Sequence, residues 1–229
     1  MKKEFYEKPL FLIPNYLFNF VLNTLYFLLC NILLAIFFII TSISPNSFSF
    51  PLLFIALIPF GPSFSTLYYC LSKLIAEKDI YSYSYFWNFL KTNFASSFKI
   101  YISELLLLLI FVADFQFFYL NMPETKLYLF FAALILLIIS LSFYTLCTST
   151  FFIFKTKDIF LISIHFMIKK FPIVFMKFIA VFLSYILVNN TSIILLPFIP
   201  GFICIIFYLY DINTIAEIKN KYTTDSLTQ

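Results

Sequence analysis

Six runs of mostly apolar residues, separated only by short lysine-bearing or turn-rich connections, constrain this chain more than any other feature. They span approximately Asn15 to Thr41, Pro51 to Ser72, Ile100 to Asn121, Leu127 to Phe152, Phe171 to Val188 and Ser192 to Tyr210. About 20 helical residues cross the roughly 30 Å hydrocarbon core of a bilayer, so each run is long enough to span it. The fifth run contains Lys177 and is divided from the sixth only by Asn189-Asn190-Thr191-Ser192. Together they are still too long for one crossing. Charged residues make up 11% of the chain, where a soluble domain carries about 25%, and the surplus of apolar side chains exceeds what one globular core can hide. A backbone in lipid must satisfy its own polar groups. The expected fold is therefore all-α: a polytopic membrane bundle of six transmembrane helices forming one integral domain. Residues 1–14 form its N-terminal segment, 15–210 the bundle and 211–229 a tail.

Lysine placement sets the orientation, because positively charged flanks stay on the cytoplasmic side during insertion. Lys2, Lys3 and Lys8 precede the first run, and Lys73, Lys78, Lys91 and Lys99 surround the second connection. Lys155, Lys157, Lys169, Lys170 and Lys177 mark the fourth, and Lys219 and Lys221 follow the last. Only Lys126 falls on the other side. Both termini are expected in the cytoplasm of a multi-pass cell-membrane protein. The first run continues to about Ile43 without a small-residue cleavage site, so it reads as a retained span and not as a signal peptide. On the inner side, Ile80, Tyr83, Trp87, Leu90 and Phe94 recur at three- and four-residue steps, predicting an amphipathic helix. Such a helix either lies in the headgroup plane or extends the third span into the cytoplasm.

The composition excludes several chemistries. With only Gly61 and Gly201, no glycine-rich phosphate loop can be built. One histidine, His165, and four scattered cysteines (Cys30, Cys70, Cys147 and Cys204) provide no metal-ligand spacing and imply no disulfide. No nucleophile and base stand together, so the protein is expected to be non-enzymatic and without a cofactor. Nucleic-acid binding would need a basic face that is absent outside the membrane flanks. The expected partners are the lipid bilayer and membrane transporter subunits, and no motif encodes an oligomeric state.

An internal repeat is visible at an offset of 79 residues. Leu57–Lys91 aligns without a gap on Leu136–Lys170, with identities that include Ser63, Phe64, Thr66 and Leu67 against Ser142, Phe143, Thr145 and Leu146. Lys78-Asp79-Ile80 matches Lys157-Asp158-Ile159 in the same register. The pattern reads as a duplicated hairpin with an inner helix, an arrangement that often brackets a binding site in transporters. Pro59-Phe60-Gly61-Pro62 has a fainter echo in Pro197-Phe198-Ile199-Pro200-Gly201.

Polar residues inside the runs are the candidate ligand contacts. Pro59, Gly61 and Pro62 break the second run near its middle, because proline lacks a backbone donor and clashes with the preceding turn; Ser63, Ser65 and Thr66 follow at once. Pro197, Pro200 and Gly201 are the corresponding helix-break residues of the last run. In the first run Asn15, Asn19 and Asn23 form a polar stripe at four-residue steps, suited to bonding across helices or to lining a polar path. Asn31 continues the spacing on another face. The third run carries Glu104, close enough to one end to snorkel, and Asp114, the stronger candidate for ligand contact or proton coupling.

The segment IPFGPSFSTLYYCLSKLIAEKDIYSYSYFWNFLKTNF, ending at Phe94, resembles the YesL-like family of bacterial integral membrane proteins, as do the Asn-bearing first run and FKTKDIFLISIHFMIKK from Phe154. The resemblance implies a small multi-span protein without assigned catalytic residues, often encoded beside carbohydrate ABC importers. It departs in lacking arginine and in its high Phe content. Two functions follow as expectations: an accessory to carbohydrate uptake that contacts an importer, or a small-solute carrier or binding component with a polar cavity between its helices.

Overall fold

The computed structural model describes residues 9–77, 84–190 and 197–223. The lysines ahead of the first run, the Lys78-Asp79-Ile80 match, Tyr83 and Thr191 lie outside these residues. Nine α-helices and no strand occur among the described residues: α1 (Pro9–Cys30), α2 (Ile32–Ile43), α3 (Phe50–Leu57), α4 (Phe60–Glu77), α5 (Ser84–Asn121), α6 (Leu127–Phe151), α7 (Thr156–Lys169), α8 (Phe171–Asn190) and α9 (Ile199–Ile218). The expected all-α membrane bundle is what the chain forms.

Four stretches are long and apolar enough to cross a membrane unbroken: Phe50–Ala76, Ser84–Asn121, Leu127–Phe151 and Ile199–Tyr222. Two bent pairs, α1 with α2 and α7 with α8, raise the total to as many as six. The protein is thus a multi-pass membrane protein. Its central helix is α4, which packs against α1, α5, α6 and α9. Half of the apolar window through α3 and α4 is buried, against 17% for α5 and α6, which turn rows such as Leu106, Ile110, Phe130 and Leu137 outward. Outward apolar rows suit a hydrocarbon solvent.

Several boundaries differ from those expected. The first span is not one helix, since α1 and α2 meet at Asn31 with a 71° bend. No proline causes it. Asn31 is buried, and its amide nitrogen donates to the Phe27 carbonyl at 2.8 Å and to Ser63 Oγ at 2.7 Å, tying the bend to the start of α4. The Pro59 interruption is milder than expected: Ile58 and Pro59 leave regular helix, yet Phe50–Ala76 continues as a single candidate span. The second proline cluster begins a helix, because Pro200 occupies the first turn of α9, where a missing amide donor costs nothing. The amphipathic run from Ser84 is not a separate in-plane helix; it continues into the third span as the 38-residue α5. At the C-terminal end, α9 runs past Tyr210 to Ile218 and carries Asp211 into the bundle, where the sequence placed a tail.

The repeat explains one asymmetry. Its second copy keeps a separate α7, bent by 90° from α8, whereas the first copy straightens into α5. At the same offset, Pro172 in the first turn of α8 corresponds to Asn93 within α5. Proline cannot continue a helix from the turn before it, and asparagine can. Lysines and acids follow the helix ends: Asp158 lies in the first turn of α7 and Lys169 in its last, each favourable to the helix dipole. Lys169 and Lys170 both pair with Glu217, clasping α7 to the end of α9.

Both glycines mark close approaches between helices. A Cβ on Gly61 would stand 2.1 Å from Cγ of Tyr101, and one on Gly201 would stand 2.6 Å from Cε2 of Phe20. Gly61→Ala is expected to destabilise the protein by roughly 1–3 kcal/mol through overpacking, with Tyr101→Ala in the same chain relieving only the ring's share of the clash, because the Cβ at position 101 still stands 2.6 Å from the added carbon. Thermal unfolding of the two variants in detergent micelles checks this, and equal melting curves for the single and double variants would contradict it.

Candidate functional site

A cavity of about 260 Å³ opens between α4, α5, α6, α8 and α9. The repeat builds two of its walls. Phe64 and Ser65 come from the first copy, and Ser142, Phe143, Thr145 and Leu146 come from the matching stretch of the second. Gly61 contributes by admitting the Tyr101 ring against α4, which sets the width at that point. Rings of Phe60, Phe64, Tyr101, Phe143 and Phe207 dominate the lining, and Val181 on α8, 40% exposed, stands at the mouth.

Hydroxyls occupy the polar side of the cavity. Ser65 Oγ lies 2.9 Å from Thr150 Oγ1 and 3.2 Å from Ser97 Oγ, and the Asn93 amide donates to Ser97 at 3.0 Å. These groups satisfy one another across α4, α5 and α6. Glu104 is the only carboxylate in the lining; it is buried, and Oε1 accepts the Thr145 hydroxyl at 2.6 Å. Its Oε2 has no hydrogen-bond partner among the described residues and is not sealed within packed side chains. That oxygen is left to the cavity.

A buried ion pair stands behind the aromatic wall. Lys177 on α8 and Asp211 on α9 are essentially inaccessible, with Nζ 2.8 Å from both carboxylate oxygens. Tyr68 of α4 donates to Asp211 Oδ2 at 2.7 Å, whereas Oδ1 makes no hydrogen bond of good angle and is held by charge alone. The ammonium also lies 4.9 Å from the Tyr144 ring centroid, 5.2 Å from that of Phe207 and 5.9 Å from that of Phe143. Phe143 and Phe207 therefore serve both the cavity and the pair. Lys177 is no marker of a membrane flank: its charge is neutralised inside the bundle, so it can sit where a lone lysine could not.

The residues singled out in the sequence separate into three groups. Ser65 and Gly61 line the cavity. Ser63 and Thr66 instead turn back on the interrupted turn, donating to the Pro59 and Pro62 carbonyls at 2.7 and 2.8 Å. Asn19 and Asn23 donate to the Asn15 and Asn19 carbonyls of their own helix, at 2.9 and 2.7 Å. Among the asparagines of the first run it is Asn31, outside that stripe, that bonds across helices. Asp114 is partly exposed on α5, away from the cavity, and has no partner among the described residues. Glu104, expected to snorkel, is the buried acid. The pairing of Lys177 with Asp211 is not legible in the sequence, because the two lie 34 positions apart. The sequence held a hint of each: one lysine inside an apolar run, and one acid just beyond the next.

His165 is exposed and stacks edge-on against Phe166, while Cys70, Cys147 and Cys204 pack in the core. No cluster of three metal-ligating side chains occurs among the described residues.

A family model described as "Protein of unknown function, DUF624" matches residues 19–115. This stretch carries Asn19, Asn23, the Pro59–Thr66 region and Glu104, but neither member of the ion pair. No curated protein and no solved structure matches the chain.

Removing one member of the ion pair leaves the other charged and unpaired. Lys177→Met or Asp211→Leu alone should cost about 3–5 kcal/mol, and the combination should recover most of that loss. Unfolding of the three variants by denaturing detergent measures the coupling; simple additivity of the two losses would show that the pair does not act as a unit.

Proposed function

We propose that the protein is a non-enzymatic, multi-pass component of the bacterial cytoplasmic membrane that binds a small solute inside its helical bundle. The observation that carries this reading is the cavity beside Glu104, with its hydroxyl-lined side and aromatic walls. Binding sites are typically concave, mostly apolar and furnished with a few convergent polar groups. A carboxylate on a membrane-spanning helix with one oxygen unpartnered is costly in lipid and is retained where it has a task. The presence of matching repeat segments in the lining of one cavity also supports a solute site, because inverted or duplicated units commonly enclose one.

Lysines at the α7 and α9 ends support cytoplasmic placement of both termini. The YesL-like resemblance is consistent with the match to the family of unknown function. Carbohydrate uptake, and contact with an importer, rest on that resemblance alone.

The test uses the purified protein in lipid nanodiscs, incubated with a small-molecule extract of bacteria, washed and assayed by mass spectrometry for retained solutes. Wild type is expected to retain a solute that Val181→Trp, which places a bulky ring at the mouth, does not. Absence of any solute whose retention depends on the open mouth would overturn the proposal.

A further inference from the structure

We infer that the cavity takes an organic monocation, a small amine or quaternary ammonium with an apolar body, and that Glu104 is its counter-ion. This rests on the preceding reading that the cavity is a solute site, and adds the chemical class of the solute.

Charge is the first ground. Among the cavity residues only Glu104 carries a carboxylate, and no lysine lines the space. The nearby cation, Lys177, is held by Asp211 at 2.8 Å and so presents a neutral pair instead of a free positive charge. An ionised carboxylate removed from water needs a countercharge nearby, and an arriving ammonium brings one. An anionic solute would meet the same carboxylate as a repulsion.

Hydrogen-bond capacity is the second ground. A sugar presents many hydroxyls, each needing a partner once it leaves water. The hydroxyls of Ser65, Ser97 and Thr150 already bond one another, and that of Thr145 is given to Glu104. What remains open is one carboxylate acceptor, Oε2 of Glu104, together with the hydroxyl of Tyr101, which makes no hydrogen bond among the described residues. A solute with a single cationic or donor centre and an otherwise apolar surface matches that supply.

Shape is the third. The rings of Phe60, Phe64 and Tyr101 line the cavity with Glu104, and aromatic faces attract ammonium groups, the more so when both are desolvated. At about 260 Å³ the space lies just below the roughly 300–1,000 Å³ range of drug-sized pockets, which limits the solute to a small one.

The experiment measures binding of tetraethylammonium chloride and of glucose to the full-length protein in nanodiscs by calorimetric titration, at constant ionic strength. Four proteins are compared: wild type, Glu104→Gln, Asp114→Asn and Val181→Trp. Glu104→Gln keeps an acceptor for Thr145, and its unliganded melting temperature verifies that it folds. The expected result is saturable binding of tetraethylammonium by wild type and Asp114→Asn, weakened about tenfold or more in Glu104→Gln and abolished in Val181→Trp, with no binding of glucose. Equal affinity of Glu104→Gln and wild type for tetraethylammonium would overturn the assignment of the counter-ion. Glucose binding that Val181→Trp blocks, without tetraethylammonium binding, would overturn the cation class and leave the solute site standing. Absence of binding by either probe to wild type would also overturn the cation class; the solute site then stands or falls on the extract experiment.

Discussion

Lipid offers no hydrogen bonds, so every amide, hydroxyl and charge carried into the bundle must find its partner within the protein, and the whole arrangement of α1 to α9 can be understood from that restriction. The Lys177–Asp211 pair is its most severe instance. Two charges that water would solvate separately are brought to 2.8 Å, completed by the Tyr68 hydroxyl and surrounded by the rings of Tyr144, Phe143 and Phe207. Such a pair adds little net stability over a well-packed apolar substitute. What it does impose is register, because α8 and α9 can slide or rotate against each other only by separating the charges.

The same restriction shapes the two interruptions near the middle of the bundle. At Asn31 the chain bends by 71°, and at Pro59 the helix is interrupted. They are neighbours in space, joined by the Asn31–Ser63 hydrogen bond. Irregular backbone at membrane depth is tolerated only where protein or a lined cavity satisfies it. Ser63 meets this condition by accepting from Asn31 and donating to the carbonyls of Pro59 and Phe60. The break therefore creates local polarity that is largely consumed locally, with Asn31 Oδ1 left buried without a hydrogen-bond partner, and the acceptor open to the cavity lies one helix away, on Glu104.

Much of the architecture could be read from residues alone. Run lengths predicted the membrane and the helical class, and the offset of 79 picked out Ser142, Phe143, Thr145 and Leu146, which form a cavity wall. The candidate site was less legible. Between Glu104 and Asp114, position along the span favoured Asp114, since a residue near a helix end can reach water. That reasoning fails here because Glu104 is buried between α5 and α6, with Oε1 held by the Thr145 hydroxyl, and does not reach out along the helix. The asparagine stripe was equally misleading: four-residue spacing places amides on one face, but it also lets each bond the carbonyl four residues earlier in its own helix.

Solvent and secondary structure were decided by the sequence itself, because hydropathy and helical length are sums over neighbouring residues and do not depend on how distant segments meet. Pro172 belongs with them, as a local residue that separates α7 from α8. Pairing belongs to the tertiary structure. Lys177 finds Asp211, Asn31 finds Ser63, and Ser65 finds Ser97 and Thr150 only after the helices have docked, and no spacing along the chain encodes those distances. The carboxylate oxygen that remains open is a product of the same docking: α5 brings Glu104 to the cavity, and Thr145 of α6 takes only its other oxygen.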